Sequence, residues 1–159
     1  MPYDFTKLPL ATQQAIKKDY FAMFSTFPKR LFSIGQDTKT VKGEELNVLT
    51  GIMYFAPYKL SGVNVCAMAD VAKCHEGCLF TAGRGQFTSN QMARLRKTLF
   101  FQQYSGVFQV LLQKEIDRLE RKAQRMNMTP MIRLNGTSDI RWELEIPNIM
   151  KKYSHIQFY

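Results

Sequence analysis

The chain has 159 residues, 45% hydrophobic and 22% charged, with a formal net charge of +9. That balance suits a globular domain with a core, argues against intrinsic disorder, and leaves no run near the roughly 18 to 20 apolar residues that a membrane span needs. The start, MPYDFTKLPL, has neither a basic n-region nor an apolar stretch, so an intracellular, cytoplasmic protein is expected. An excess of base this large serves either solubility or attraction to polyanions, and charge alone does not separate the two.

In chain order, residues 9 to 27 place Ile16, Tyr20, Met23 and Phe27 at helical spacing, and Pro28 stops that amphipathic helix. LFSIG (31–35) and LNVLTGIMYFAP (46–57) are branched and aromatic runs bounded by Gly and Pro, which predict strands. The second is apolar almost throughout from 48 to 56, as a strand covered on both faces would be. After the polar segment 61–85, Ser89 or Asn90 is expected to cap a helix over QMARLRKTLFFQQ, with Met92, Leu95 and Leu99 on one side. Beyond Gly106, Phe108, Leu112, Ile116, Leu119, Ala123 and Met126 step by four and three, predicting a second helix with Lys114, Arg118, Arg121, Lys122 and Arg125 on its other faces. Pro130 opens a strand over MIRLN, Pro147 sits early in a helix over IPNIMKKY, and HIQFY predicts a last strand.

Strand, helices, strand, helix, strand is the order of parallel crossover units. The expected fold is α/β, a partial, open, parallel β/α barrel-like sheet in a single domain, with 1–30 as an N-terminal helical segment and 31–159 as the core. The last strand of such a partial barrel presents unpaired backbone groups. Either the N-terminal segment or a second copy of the chain, in a homo-oligomer, would cover that edge.

All three cysteines, Cys66, Cys74 and Cys78, fall within thirteen positions of the segment SGVNVCAMADVAKCHEGCLFTAGRG. Three cannot all pair internally, and a reducing cytosol disfavours disulfides. If AKCHEGC forms a helical turn, Cys74 and Cys78 share a face and Cys66 approaches from the preceding loop, so three thiolates can converge. Soft thiolates in a compact group select zinc, copper(I) or iron–sulfur clusters. The plainer reading is three small buried hydrophobes, but core cysteines have no reason to gather in one loop rich in Gly, Asn and charge. Structural zinc wants a fourth protein ligand. His75, directly beside Cys74, would point about 100° away from that thiol on a helix, and His155 is distant in sequence. A 4Fe-4S cluster tolerates an iron without a cysteine ligand, so it leads over zinc.

The run GIMYFAPYKLSGVNVCAMADVAKCHEGCLFTAGRG, then MARLRKT, then IRLNGTSDIRWE, resembles the phage- and plasmid-encoded gene product 88 family, whose members have a cysteine-rich loop after a strand and an RLNGTSD segment later. The likeness spans about residues 31 to 159. In layout the chain also resembles radical S-adenosylmethionine enzymes, where a loop after the first barrel strand gives three cysteines to a 4Fe-4S cluster. This sequence departs from their Cys-x3-Cys-x2-Cys pattern, which puts S-adenosylmethionine binding in doubt.

If MIRLN is a parallel strand, Asn135 through Asp139 lie at its carboxyl end, where open sheets and barrels build their sites, and the cysteine loop leaves from the same face. Arg133, Asn135, Ser138 and Asp139 are therefore candidate pocket residues. The plainer alternative is a Gly turn followed by Ser138 or Asp139 capping a short helix. Arg133, inside an apolar strand, needs a partner such as Asp139 or an anionic ligand. From Arg84 to Arg125 the chain holds nine Arg or Lys against three acids, a stretch that could bind nucleic acid or simply be the solvated side of helices. Three classes follow: a phage-type iron–sulfur protein with a redox or catalytic role, a zinc-stabilised nucleic-acid-binding accessory protein of phage or plasmid, and a metal-free interaction protein.

Overall fold

Six consecutive residues without a charge, VLTGIM, make β2 (Val48–Met53), and from Leu49 onward every one is buried. Such a strand must be covered on both faces, and it lies inside a four-stranded sheet of order β1-β2-β3-β4. The computed structural model describes residues 28–35, 38–69, 71–74, 78 and 83–159; the helix expected over 9–27 lies outside them. The chain divides into two compact units. One comprises Arg30–Tyr54, Gly106–Gly136 and Arg141–Tyr159, and the other Met1–Lys29, Phe55–Ser105 and Thr137–Ile140.

The first unit holds the sheet. β3 (Thr129–Arg133) runs parallel to β2, with Val48 opposite Thr129 and Ile52 opposite Arg133. β4 (Gln157–Phe158) runs parallel to β3. β1 (Phe32–Ile34), however, pairs antiparallel with β2, Phe32 facing Met53 and Ile34 facing Gly51. The sheet is therefore open and mixed, not the all-parallel sheet expected from element order. A helix missed in the sequence, α1 (Thr38–Glu44), joins β1 to β2 and brings the chain back alongside in the opposite sense.

The long helix α4 (Ser105–Arg125) follows its sequence pattern closely: Phe108, Leu112, Ile116, Leu119 and Ala123 are all fully buried. Each large side chain removed from water this way contributes about 1.5–3 kcal/mol before entropy is counted. Met126 lies just past the helix and is exposed. Gly51 lets the helix approach the sheet, because a Cβ there would stand 3.1 Å from both Leu119 Cδ2 and the Phe32 ring.

Glu115 shares the buried side of α4 and is 2% exposed. Its carboxylate accepts the backbone N–H groups of Leu31 at 3.1 Å and Phe32 at 3.4 Å, together with guanidinium bonds from Arg118 (3.0 and 3.1 Å) and Arg30 (3.2 Å). It thus ties the start of β1 to the helix and supplies the acceptors those N–H groups need.

α5 (Trp142–Glu145) and α6 (Pro147–Lys152) complete the unit, with Pro147 in the first turn of α6 as expected. The Trp142 and Phe108 rings stack at 6.2 Å. Just past α6, Tyr153 donates its hydroxyl to Asp117 Oδ1 at 2.6 Å. Burial, then that bond and the charges of Asp117 and Glu120, pushes the phenol well above its ordinary range. Because the folded value lies above the unfolded value of about 10, this contribution is complete below about pH 10 and is lost as pH climbs through the folded value. Tyr153→Phe is expected to lower stability by about 1 kcal/mol near neutrality, and alkaline titration of the denaturation midpoint should fall less steeply for the variant than for the parent.

In the second unit, α3 (Thr88–Gln103) buries Leu95 and Phe100 together with Gln91, Lys97 and Thr98. Thr98 Oγ1 accepts the Ala56 N–H at 2.8 Å and donates to the Arg94 carbonyl at 3.0 Å. Phe101 meets Phe55 at 5.5 Å. The helix starts at Thr88 with Phe87 in the capping position, so Ser89 and Asn90 are not caps. Asn90 and Gln91 instead donate to the carbonyls of Arg84 (2.7 Å) and Gly85 (3.2 Å), fastening the 3-10 turn Gly83–Gln86 to the helix. No helix among the described residues is long and apolar enough to cross a membrane.

Candidate functional site

β2 and β3 are parallel neighbours, so their carboxyl ends emerge side by side, and the Gly136 N–H donates to the Met53 carbonyl at 3.0 Å. Glycine is required here. A Cβ on residue 136 would sit 2.5 Å from that carbonyl oxygen and 2.6 Å from Tyr54 Cδ1. The G of RLNGTSD therefore marks a close approach between two backbone segments.

Within the second unit the two chain segments continue together. Thr137 Oγ1 donates to the Phe55 carbonyl at 2.6 Å, and the Asp139 N–H donates to the Val65 carbonyl at 2.7 Å. Cys66 and Asp139 form an isolated parallel bridge. The Cys66 thiol stands 3.9 Å from the Thr137 carbonyl, and its own N–H donates to Asn64 Oδ1 at 3.1 Å. Before them in the chain, α2 (Tyr58–Ser61) ends in Gly62, whose positive φ of 72° closes the helix and turns the chain toward the loop. Cys66 is thus held by the Asn64 side chain on one side and the main chain of Thr137 on the other.

The cysteines are not core hydrophobes. Cys66 is partly exposed, and Cys74 and Cys78 are exposed. Burial raises the Cys66 thiol above its ordinary range; nearby Cys78, Asp139 and Cys74 raise it further, against a lowering contribution from the Asp139 backbone N–H. Cys74 and Cys78 are therefore within electrostatic reach of Cys66. Among the described residues, though, no three His, Cys, Asp or Glu side chains gather closely enough to hold a metal ion. His75 and the loop positions 76, 77 and 79–82 are outside the described residues.

Of the remaining residues singled out from sequence, Asp139 is brought to Cys66, and neither Asp139 nor Ser138 caps a helix: the residue before α5 is Arg141. Ser138 lies half-buried next to Asp139 in the chain. Arg133 and Asn135 belong to the sheet unit. Arg133 Nε donates to the Asn135 carbonyl at 3.3 Å, and Asn135 Oδ1 accepts the Trp142 indole N–H at 2.9 Å. Asn135 thus anchors α5. Thr137 is the residue that sequence reasoning undervalued, since its hydroxyl holds the Phe55 carbonyl and its own carbonyl meets the Cys66 thiol. Its signal was its place between two suspected polar residues.

The basic stretch also resolves into different environments. On α3, Lys97 is buried, and Arg96 has its Nε buried without a hydrogen-bond partner. On α4 the three acids are engaged on other faces, Glu115 as above, Asp117 by Tyr153, and Glu120 by His155 Nε2 at 2.8 Å.

A family model described as Gene product 88 matches residues 29–159. No curated protein and no solved structure matches the chain.

Proposed function

The chain belongs to the gene product 88 family, and from that premise we propose that it is a phage-type iron–sulfur protein whose Cys66, Cys74 and Cys78 hold a 4Fe-4S cluster. The observation that carries this reading is that all three thiols sit on one short loop, Cys74 and Cys78 exposed and Cys66 partly so. Thiols kept for packing would be buried, whereas soft ligands waiting for a metal must be reachable.

The donor set fits a thiolate-ligated cluster in chemistry and number, with one iron left without a cysteine ligand. What the fit still requires is convergence of the sulfurs, so cluster binding would order the loop, ligand bonds offsetting the entropy of closing it. The bound cluster supplies one-electron redox chemistry or an open iron. The chain's own residues do the holding. Cys66 is preset by its bridge to Asp139. Exposed Cys74 and Cys78 close the site.

Anaerobic purification followed by iron, sulfide and zinc analysis tests the assignment. Brown protein with iron and sulfide in equal number is expected, and serine at any one of the three positions should remove most of the iron. Iron retained at the parent's level in all three single variants would refute it. Colourless protein with stoichiometric zinc would favour the zinc-stabilised alternative, and unaltered folding of a metal-free triple serine variant would leave an interaction protein.

A further inference from the structure

On an α-helix each residue turns about 100°, so Lys114, Arg118, Arg121 and Arg125 fall within an arc of about 60° and span about 16 Å of α4. Arg118 is neutralised by its two bonds to Glu115. Lys114, Arg121 and Arg125 are exposed, and among the described residues no ion pair engages them. The remaining cations are one-sided, because Glu115 is taken up by Arg118, Arg30 and backbone N–H groups, Asp117 is engaged by Tyr153, and Glu120 by His155. An ordinary solvated helix would mix both signs on its outer face.

We propose that this stripe of α4 binds the phosphate backbone of duplex nucleic acid without reading its sequence. Two alternatives fit less well. A helix that lies on a membrane needs a broad free apolar face, but Phe108, Leu112, Ile116, Leu119 and Ala123 are consumed by the core, and the exposed large apolar residues of α4 are Val107 and Val110, both before the stripe. Single strands are held by stacking on aromatic rings, and the only aromatic on α4, Phe108, is buried. What the stripe offers is a row of cations on a rigid rod, which suits regularly spaced phosphates. The inference is independent of any cluster at the cysteines.

Fluorescence anisotropy of the full chain with a labelled random-sequence duplex, over a series of salt concentrations, tests it. Three phosphate contacts predict a slope of log K against log salt of about −3. The double variant Arg121→Glu/Arg125→Glu should weaken binding at least tenfold at low salt and flatten the slope by about 2, with an unchanged denaturation midpoint. Lys42→Glu/Lys151→Glu, which alters net charge equally on exposed residues off the stripe, should stay within about threefold of the parent. If the reversed pair lowers stability, Arg121→Gln/Arg125→Gln serves instead, with the same direction. Equal loss in stripe and control variants, tighter binding to a single strand of the same sequence, absence of duplex binding at low salt, or stripe-dependent binding to phosphatidylserine vesicles in place of DNA would each overturn the proposal.

Discussion

Glu115→Leu is expected to lower unfolding free energy by about 3–5 kcal/mol, a large share of the 5–15 kcal/mol that holds a typical domain together. Leucine fills much the same volume but accepts nothing. The N–H groups of Leu31 and Phe32 would then be left in a dry site without an acceptor, each costing about 1–3 kcal/mol. The arginines soften the blow, since Arg30 is 61% and Arg118 31% exposed and both can return to water. Glu115→Gln keeps an acceptor oxygen for the backbone and should cost only about 1–2 kcal/mol. The ordering Leu worse than Gln, read from urea midpoints at unchanged m-value, separates the backbone anchor from a simple ion pair. Equal costs for the two variants would mean that charge alone matters.

Gly136→Ala is the second large effect, expected at about 3 kcal/mol. A methyl group here meets the Met53 carbonyl and the Tyr54 ring well inside contact distance, and one of the two is main chain belonging to the end of β2. Backbone cannot rotate away as a flexible side chain would, so β2 and β3 must separate or the Gly136 N–H bond must break. Native-state hydrogen exchange should register the change as faster exchange at Gly136 and its neighbours before the global midpoint moves far. Gly106→Ala is the contrast. Nothing lies within 4 Å of its would-be Cβ, and alanine in the first turn of α4 should leave stability unchanged or raise it by up to about 1 kcal/mol. A Gly136→Ala midpoint matching that of Gly106→Ala would show that the close approach is not a constraint.

Much of this fold was readable because its strongest elements obey a period. Phe108 to Ala123 step at helical spacing and are all buried, and the charge-free run of β2 is covered on both faces as its composition implied. Pro147 marked a helix start for the reason that its missing N–H is not needed there. The direction of β1 was not readable, since a three-residue strand carries no sign of its sense, and α1 is polar, contains Gly43 and has no apolar stripe to announce it. Glu115 looked like one member of an ordinary surface pair with Arg118, and that pair is present. Its burial follows from the adjacent Ile116 and the chain segment that crosses it, which no local pattern encodes. Ser138 and Asp139 had the composition of a cap, but a polar residue after a turn is also suited to pairing with another strand, and only tertiary placement chose between these for Asp139.

Thr137–Ile140 is a four-residue strap that joins the cysteine-bearing unit from a point some seventy positions further along the chain. A synthetic peptide cut from residues 61 to 85 would carry all three thiols and none of that strap, so its sulfurs would meet a metal with only random-coil geometry to offer. Under the proposed cluster assignment, maquettes of the loop would underreport the affinity of the intact polypeptide, and grafting the loop into another scaffold would have to import the TSD tripeptide along with it.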